Sequence, residues 1–205
     1  VLRVARHAQR AAVELVQQRH RLLVEALFEI GFGHGCHLSG DRAVLGSVPM
    51  AAKTQALEIV QNAGVEHEVL SYTAGTDHFG EHAVEELELD AAATLKTLVI
   101  HHERDYAVCC VPVAGHLSLK HAAKALGWKN AEMAEPKAAQ RLTGYIVGGI
   151  SPLGTKQQLP TLIDASVAHT ATITVSAGQR GLSIAMSPAD LAQLCSAEFA
   201  DIAAS

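Results

Sequence analysis

The chain has 205 residues, of which 49% are hydrophobic and 18% are charged. This length suits one domain of ordinary size with an additional segment, and the apolar content suffices for a full core without metals or disulfides. The composition excludes collagen, coiled-coil and disulfide-scaffold proteins, and the apolar runs fall far short of the ~20 residues of a membrane span.

The net charge of −5 is unevenly distributed along the chain. Residues 50–105 contain three basic and eleven acidic residues, whereas residues 106–180 contain seven basic and three acidic ones. An acidic protein can still bind nucleic acid if its basic groups share one face; otherwise these groups only solvate helix surfaces. The basic residues that could form such a face are Lys120, Lys124, Lys129, Lys137, Arg141 and Lys156.

Residues 1–49 predict a separate, mostly helical N-terminal extension. Apolar residues recur at helical spacing over residues 1–31, and the glycine-rich run GFGHGCHLSG then ends the pattern. In that run His34, Cys36 and His37 lack a second ligand pair at zinc-site spacing, so we expect no metal. Two interpretations stay open: a genuine extension, or sequence upstream of a start at Met50.

Residues 50–205 predict a domain that mixes helices with hairpin-like strands. Expected helices cover residues 53–63, 82–87, 119–126, 136–141 and a C-terminal segment capped by Ser187 with Pro188 in its first turn. Expected strands cover residues 65–72, 94–102, 105–113, 159–166, 171–178 and 181–187. This order predicts an α+β fold, with a curved, mixed, barrel-like sheet flanked by helices.

The four cysteines predict no disulfide framework. None forms a CxxC pair, and Cys109 and Cys110 are adjacent in the apolar run AVCCVPV, where successive strand side chains point to opposite faces. The pattern predicts small buried thiols in a reducing compartment. Because no secretory signal is visible, we expect a cytoplasmic protein.

One charged residue stands out in the expected strands. Lys96 lies in the apolar run LKTLVI, and burying a lone ammonium is costly. Three interpretations stay open: the side chain reaches the sheet edge, it pairs with an acid from residues 81–90, or it faces a cleft and holds an anion or polarises a carbonyl. The sequence has no GxSxG, P-loop or HExxH motif that would supply a conventional active site.

Two glycine-containing segments are further candidates. Two interpretations of Gly148 and Gly149 stay open. The glycines allow a ligand to approach the backbone and to accept hydrogen bonds from its N–H groups, or they mark a bend in a strand. Arg180 lies in the turn SAGQRG and is available for a phosphate.

Four segments together closely resemble the YbaK/EbsC family over about residues 51–203. They are AEMAEPKAAQRLTGYIVGGISPLGTKQQLPTLID, LKTLVI, SYTAGTDHFG and TITVSAGQRGLSI. Members of this family are free-standing trans-editing proteins similar to the editing domain inserted in bacterial prolyl-tRNA synthetases. The resemblance implies the editing-domain fold and, for the YbaK branch, removal of cysteine from mischarged Cys-tRNA(Pro). The implied partners are a proline or cysteine aminoacyl-tRNA and prolyl-tRNA synthetase, with no cofactor, membrane or DNA.

The resemblance also implies site residues. The essential lysine of the family matches Lys96, and the glycines of its VGGISP motif match Gly148 and Gly149. Close relatives often carry an acid at the position of Ser183 and a lysine at that of Gln179. The positions expected to bind substrate are Tyr72, Phe79, Gly80, Thr97, Ser176, Arg180 and Ser183.

The implied mechanism uses the thiol of the substrate cysteine, which attacks its own ester and leaves as a thiolactone. Lys96 and the amides near Gly148 and Gly149 would stabilise the oxyanion, although Lys96 could instead hold the terminal adenosine or its phosphate. Alternatives are a deacylase that uses water on alanyl- or seryl-tRNA, a non-catalytic module that binds tRNA or a synthetase, and a structural metal protein.

Overall fold

The computed structural model describes residues 53–75 and 78–204. The predictions made for residues 1–49, including the helical extension and the absence of a metal at His34, Cys36 and His37, lie outside the described residues. None of the helices in the described ranges combines the length and the hydropathy of a membrane-spanning segment.

The helices begin and end for local reasons. Thr54 caps the first helix by accepting a hydrogen bond from the Leu57 N–H, and Gly64 ends it with a φ of 65°. Ser187 caps the last helix by accepting from the Asp190 N–H, with Pro188 in the first turn, which confirms that prediction. The helices of the described segments are α1 (Gln55–Ala63), α2 (Phe79–Glu86), α3 (Leu119–Ala125), α4 (Pro136–Thr143) and α5 (Pro188–Cys195).

The predicted start of α2 at residue 82 is wrong, because the helix begins at Phe79. Gly80 lies in its first turn, where a glycine lowers helix propensity and hides the start from sequence reading. A Cβ at Gly80 would lie 3.0 Å from Cγ2 of Val113, so close packing of the helix on Val113 explains the glycine.

The strands form two main sheets and a small ribbon. A mixed sheet has the order β5-β2-β3-β6-β9, an antiparallel sheet has the order β1-β8-β7, and β4 pairs with β10. The predicted α+β class and the β2–β3 hairpin are confirmed. The strands are β1 (His67–Ser71), β2 (Leu95–His102), β3 (Asp105–Pro112), β4 (His116–Leu117), β5 (Glu132–Met133), β6 (Thr161–Asp164), β7 (Ile173–Gln179), β8 (Leu182–Met186), β9 (Glu198–Ala200) and β10 (Ala203–Ala204).

The two main sheets meet at one parallel bridge between Thr94 and Thr174, where the Thr174 N–H donates to the Ala93 carbonyl at 3.0 Å. Beyond it β7 stays paired with β8, while β2 pairs at Ile100 and His101 with β5. No further pairing joins β2 to β7 within the described segments, so a gap opens between them just after the bridge.

The cores lie on both faces of the mixed sheet. Cys110 belongs to a large core with residues of α1, α5, β7 and β8, whereas Cys109 belongs to a second core with Ala122 of α3. The predicted burial of these two thiols on opposite faces is therefore confirmed. Burial raises the pKa of the Cys109 thiol to about 12 and that of Cys110 well above its usual value.

Asp164 anchors the end of the described chain. Its Oδ2 accepts hydrogen bonds from the N–H groups of Ile202 (3.0 Å) and Ala203 (2.7 Å), and its Oδ1 accepts from the N–H and hydroxyl of Ser166. Burial alone would raise the pKa of Asp164, but these hydrogen bonds outweigh it and hold the pKa below its usual value.

Candidate active site

A cavity of about 330 Å³ fills the gap between β2 and β7. Its walls come from these two strands, β8, the start of α2, the start of α4 and the loop that follows α4. Eight of the ten predicted site residues line it: Tyr72, Phe79, Gly80, Lys96, Thr97, Gly148, Ser176 and Ser183. The other two, Gly149 and Arg180, are not among its lining residues.

Lys96 carries the only charge among the described residues that line the cavity. Its side chain is half-buried, and its Nζ donates a long hydrogen bond of 3.4 Å to the Val113 carbonyl. No carboxylate lies within 4.0 Å of Nζ in the parts of the chain that the structure describes. Of the three interpretations of Lys96, this placement matches the one in which the ammonium faces a cleft.

Two hydroxyls in the cavity wall are buried without partners. Neither Thr97 Oγ1 nor Ser176 Oγ has a hydrogen-bond partner among the described residues. A buried hydroxyl without a partner is costly, and both residues line the cavity, so a small rotation of each side chain toward the cavity would let a polar ligand complete these hydrogen bonds. Ser183 lies opposite Ser176 in the β7–β8 ladder, which places a third hydroxyl beside them.

The loop that follows α4 forms a tight turn at the cavity wall. The Gly149 N–H donates to the Ile146 carbonyl at 3.0 Å, and Gly148 has a φ of +87°, which suits the third position of a type II turn. The Gly149 amide is therefore already used within the turn. The Gly148 N–H has no acceptor among the described residues, so it is the one of the two predicted donors that remains open to a ligand.

The turn is packed too closely to carry side chains. A Cβ at Gly148 would lie 2.5 Å from Cδ2 of Phe79, and a Cβ at Gly149 would lie 2.8 Å from the backbone N of Arg180. Arg180 completes this contact, because its Nε donates to the Val147 carbonyl at 2.8 Å and its Cζ lies 4.5 Å from the centroid of the Phe79 ring.

A second set of contacts holds the segment that carries Tyr72. The Tyr72 N–H donates to the Gly181 carbonyl at 3.0 Å, and the Thr73 N–H donates to Glu86 Oε1 at 2.9 Å. His82 Nε2 lies 2.9 Å from the Thr73 carbonyl and 3.1 Å from Glu86 Oε2. The hydrogen bond from the Thr73 N–H lowers the pKa of Glu86 below its usual value.

Sequence reasoning missed His82 and Glu86 as supports of Tyr72. Their separation of four residues predicts a side-chain pair on one helix face, but nothing in the sequence places Thr73 beside them.

The cavity offers groups that stabilise negative charge rather than groups that attack. Its described lining contains no histidine, cysteine, aspartate or glutamate, and Lys96 Nζ is hydrogen-bonded to the Val113 carbonyl rather than to a serine or threonine hydroxyl, so no nucleophile is paired with a base there. Burial raises the pKa of the Cys195 thiol to about 12, which leaves that thiol protonated at neutral pH. No group of three or more histidine, cysteine or acidic side chains in the described segments could hold a metal ion.

Residues 74–194 match the family model of the aminoacyl-tRNA editing domain. The chain belongs to this family. The resemblance to the YbaK/EbsC proteins is confirmed by a relative from Enterococcus faecalis, provisionally named as a Cys-tRNA(Pro)/Cys-tRNA(Cys) deacylase, EbsC. It is 35% identical over 152 residues, which cover 73% of this chain and 93% of the relative.

Solved structures share the fold. One, described as a provisional trans-editing enzyme for prolyl tRNA synthetase, is 23% identical with a TM-score of 0.64, and the match covers 75% of this chain and all of that one. Another, described only as a hypothetical protein, is 20% identical with a TM-score of 0.66 and covers 74% of this chain. At these identities the likeness concerns the fold alone.

Proposed function

We propose that this protein is a trans-editing aminoacyl-tRNA deacylase that releases cysteine from mischarged Cys-tRNA(Pro). The observation that carries the proposal is the composition of the cavity: one ammonium, one open amide and unpartnered hydroxyls, without a histidine, cysteine or acidic side chain among the described lining residues. Membership of the editing-domain family and the likeness to the EbsC deacylase support tRNA as the substrate.

The attacking group in this proposal is the thiol of the substrate. The thiol loses its proton, and its sulfur forms a bond to the carbonyl carbon of the aminoacyl ester. The bond from that carbon to the ribose oxygen breaks, the ribose oxygen takes up a proton, and cysteine leaves the tRNA as a thiolactone. Water opens the thiolactone afterwards. A thiol has a pKa of about 8.5, so about a few per cent of it is thiolate at neutral pH.

The protein contributes position and charge. The negative charge that develops on the carbonyl oxygen would be stabilised by the Lys96 ammonium and the Gly148 N–H. The hydroxyls of Thr97 and Ser176 would hold the polar groups of the ribose or the aminoacyl moiety and fix the geometry of attack. Tyr72 and Phe79 line the cavity from the side of α2 and would exclude solvent.

A basic ridge beside the cavity would hold the tRNA backbone. We define this basic ridge as the exposed residues Lys137 and Arg141 of α4 and Lys156 next to its C-terminal end. The Lys156 N–H donates to the Thr143 carbonyl at 3.0 Å, and Pro136 at the start of α4 lines the cavity. Phosphate contacts from this ridge would place the acceptor end of a tRNA at the cavity mouth.

The other predicted basic residues lie elsewhere. The α3 lysines, Lys120 and Lys124, are exposed on a helix that packs on the second core, with Cys109. Lys129, which follows α3, is also exposed. The proposal therefore gives the basic ridge the main role in tRNA binding. Prolyl-tRNA synthetase as a partner and a cytoplasmic location stay predictions, as does the assignment of residues 50–205 as the deacylase domain.

The proposal is tested by a deacylation panel. Purified protein is incubated with tRNA(Pro) that carries cysteine, alanine, serine or proline, and the loss of each ester is compared with its loss in buffer. Rapid loss of cysteine alone is expected. Preferential loss of alanine would identify a water-dependent deacylase, and no loss of any ester with retained tRNA binding would identify a non-catalytic module.

A further inference from the structure

Arg180 connects three chain segments at the wall of the cavity. It lies in the turn between β7 and β8, its Nε donates to the Val147 carbonyl at 2.8 Å, and its guanidinium stacks on Phe79 at 4.5 Å. Phe79 in turn lies against the α-carbon of Gly148. Arg180 is half-buried and directs its Nε at a backbone carbonyl, so this donor is not available for a phosphate.

The carbonyl that Arg180 holds belongs to the same peptide unit as the open Gly148 N–H. A trans peptide is planar, and its C=O and N–H point in opposite directions. When Arg180 fixes the Val147 carbonyl on its own side, the Gly148 N–H must point away from the guanidinium. Gly148 lines the cavity, so the hydrogen bond from Arg180 determines which way this open donor is aimed.

This orientation needs support because the turn has an alternative. Types I and II turns differ by rotation of their central peptide, and glycine at the third position is compatible with either. Rotation would exchange the directions of the Val147 carbonyl and the Gly148 N–H, while the closing hydrogen bond from Gly149 to Ile146 stays in place. The stacking of Arg180 on Phe79 limits the guanidinium to one side of the turn.

We propose that Arg180 is a positioning residue that locks the Val147–Gly148 peptide with its N–H available to the developing oxyanion. The inference rests on the proposed deacylase function. It assigns Arg180 a role through Gly148 in place of the phosphate contact that the sequence suggested. The expected consequence of removing Arg180 is a lower kcat with little change in KM, because the donor is needed most in the transition state.

The decisive comparison uses Arg180→Met and Arg180→Lys. Lysine keeps the charge but has no Nε donor within a planar fork, so both variants should lose about tenfold to a hundredfold in kcat, with KM within about threefold of wild type. A phosphate contact predicts the opposite: Arg180→Lys would keep most activity, and Arg180→Met would raise KM and reduce the slope of log kcat/KM against log salt by about one. That outcome would overturn the inference.

Chemical rescue distinguishes positioning from a general loss of structure. Arg180→Ala should regain kcat when ethylguanidinium is added, whereas Gln179→Ala, an exposed neighbour in the same turn, should keep wild-type kcat and show no rescue. Thermal unfolding of every variant is measured together with its kinetics. If Arg180→Ala or Arg180→Met does not fold, the comparison with wild type uses Arg180→Lys. A folded Arg180→Lys protein with wild-type kcat would refute this inference and leave the proposed function in place. A wild-type protein without deacylase activity would refute the proposed function itself.

Discussion

Replacing Lys96 by alanine should separate catalysis from folding. The ammonium is half-buried, makes one long hydrogen bond to the Val113 carbonyl and has no carboxylate within 4.0 Å in the described ranges. Its removal therefore leaves no uncompensated buried charge. The lost hydrogen bond comes from a charged group but is long, so its loss costs about 1–2 kcal/mol, and the ammonium no longer has to be partly removed from water, which offsets part of that cost.

The effect on activity should be much larger. If the ammonium stabilises the developing oxyanion, its loss should lower kcat about a hundredfold to a thousandfold, or about 3–4 kcal/mol of transition-state stabilisation. If it mainly anchors the terminal nucleotide, KM rises and kcat changes less. The two roles are therefore distinguished by kcat and KM measured separately.

The assay is single-turnover deacylation of Cys-tRNA(Pro) combined with thermal unfolding of the same preparation. Lys120→Ala, which removes an exposed lysine of α3, is the matched control and should leave both kcat and Tm close to wild type. A folded Lys96→Ala protein with near wild-type kcat and KM would refute the assignment of this residue.

Three further outcomes are expected. Alanine in place of the basic-ridge residues Lys137, Arg141 and Lys156 should raise KM for tRNA and reduce the salt dependence of kcat/KM by about one unit of slope per phosphate contact. Alanine in place of the α3 lysines, Lys120 and Lys124, should change neither quantity. Equal effects of the two sets would contradict the role of the basic ridge in tRNA binding. Asp164→Asn should lower Tm at pH 7, and because the folded-state pKa of Asp164 is lowered, its contribution is present above about pH 4 and is lost as the pH falls further. Unfolding curves of wild type and variant should therefore converge in acid, and a constant difference down to pH 2 would count against this anchor. Gly149→Ala should lower both Tm and kcat, because its Cβ would lie 2.8 Å from the backbone of Arg180; unchanged values would show that the turn can shift freely.

Much of the fold follows from local sequence patterns. The alternation around Cys109 and Cys110 predicts their burial on opposite faces, and the cap at Ser187 predicts the start of α5, as the structure confirms. Four strands were missed, namely β4, β5, β9 and β10. Each has only two or three residues, too few for an alternating pattern, and each is fixed by pairing with a distant segment.

The site is less accessible to sequence reasoning. A lysine in an apolar strand is visible in the sequence, and so is a pair of adjacent glycines. The sequence does not show that the Gly149 N–H is used within a turn, or that Arg180 contacts Val147. Both features depend on how β7, β8 and the loop after α4 pack together. The separation of the predicted basic residues into the basic ridge and the α3 lysines likewise depends on tertiary structure.

Comparison of cysteine with serine on the same tRNA(Pro) decides whether the substrate supplies the nucleophile. The two side chains differ by one atom, so a cavity of this kind discriminates poorly between them by size. Their ionisation differs greatly, because the thiol has a pKa of about 8.5 and a serine hydroxyl is not ionised at neutral pH. If the substrate thiol attacks, Cys-tRNA(Pro) should lose its ester at least about a hundredfold faster than Ser-tRNA(Pro), at a rate that rises with pH toward the pKa of the thiol. Rates within about threefold of each other, without that rise, would show that water or a protein side chain attacks instead.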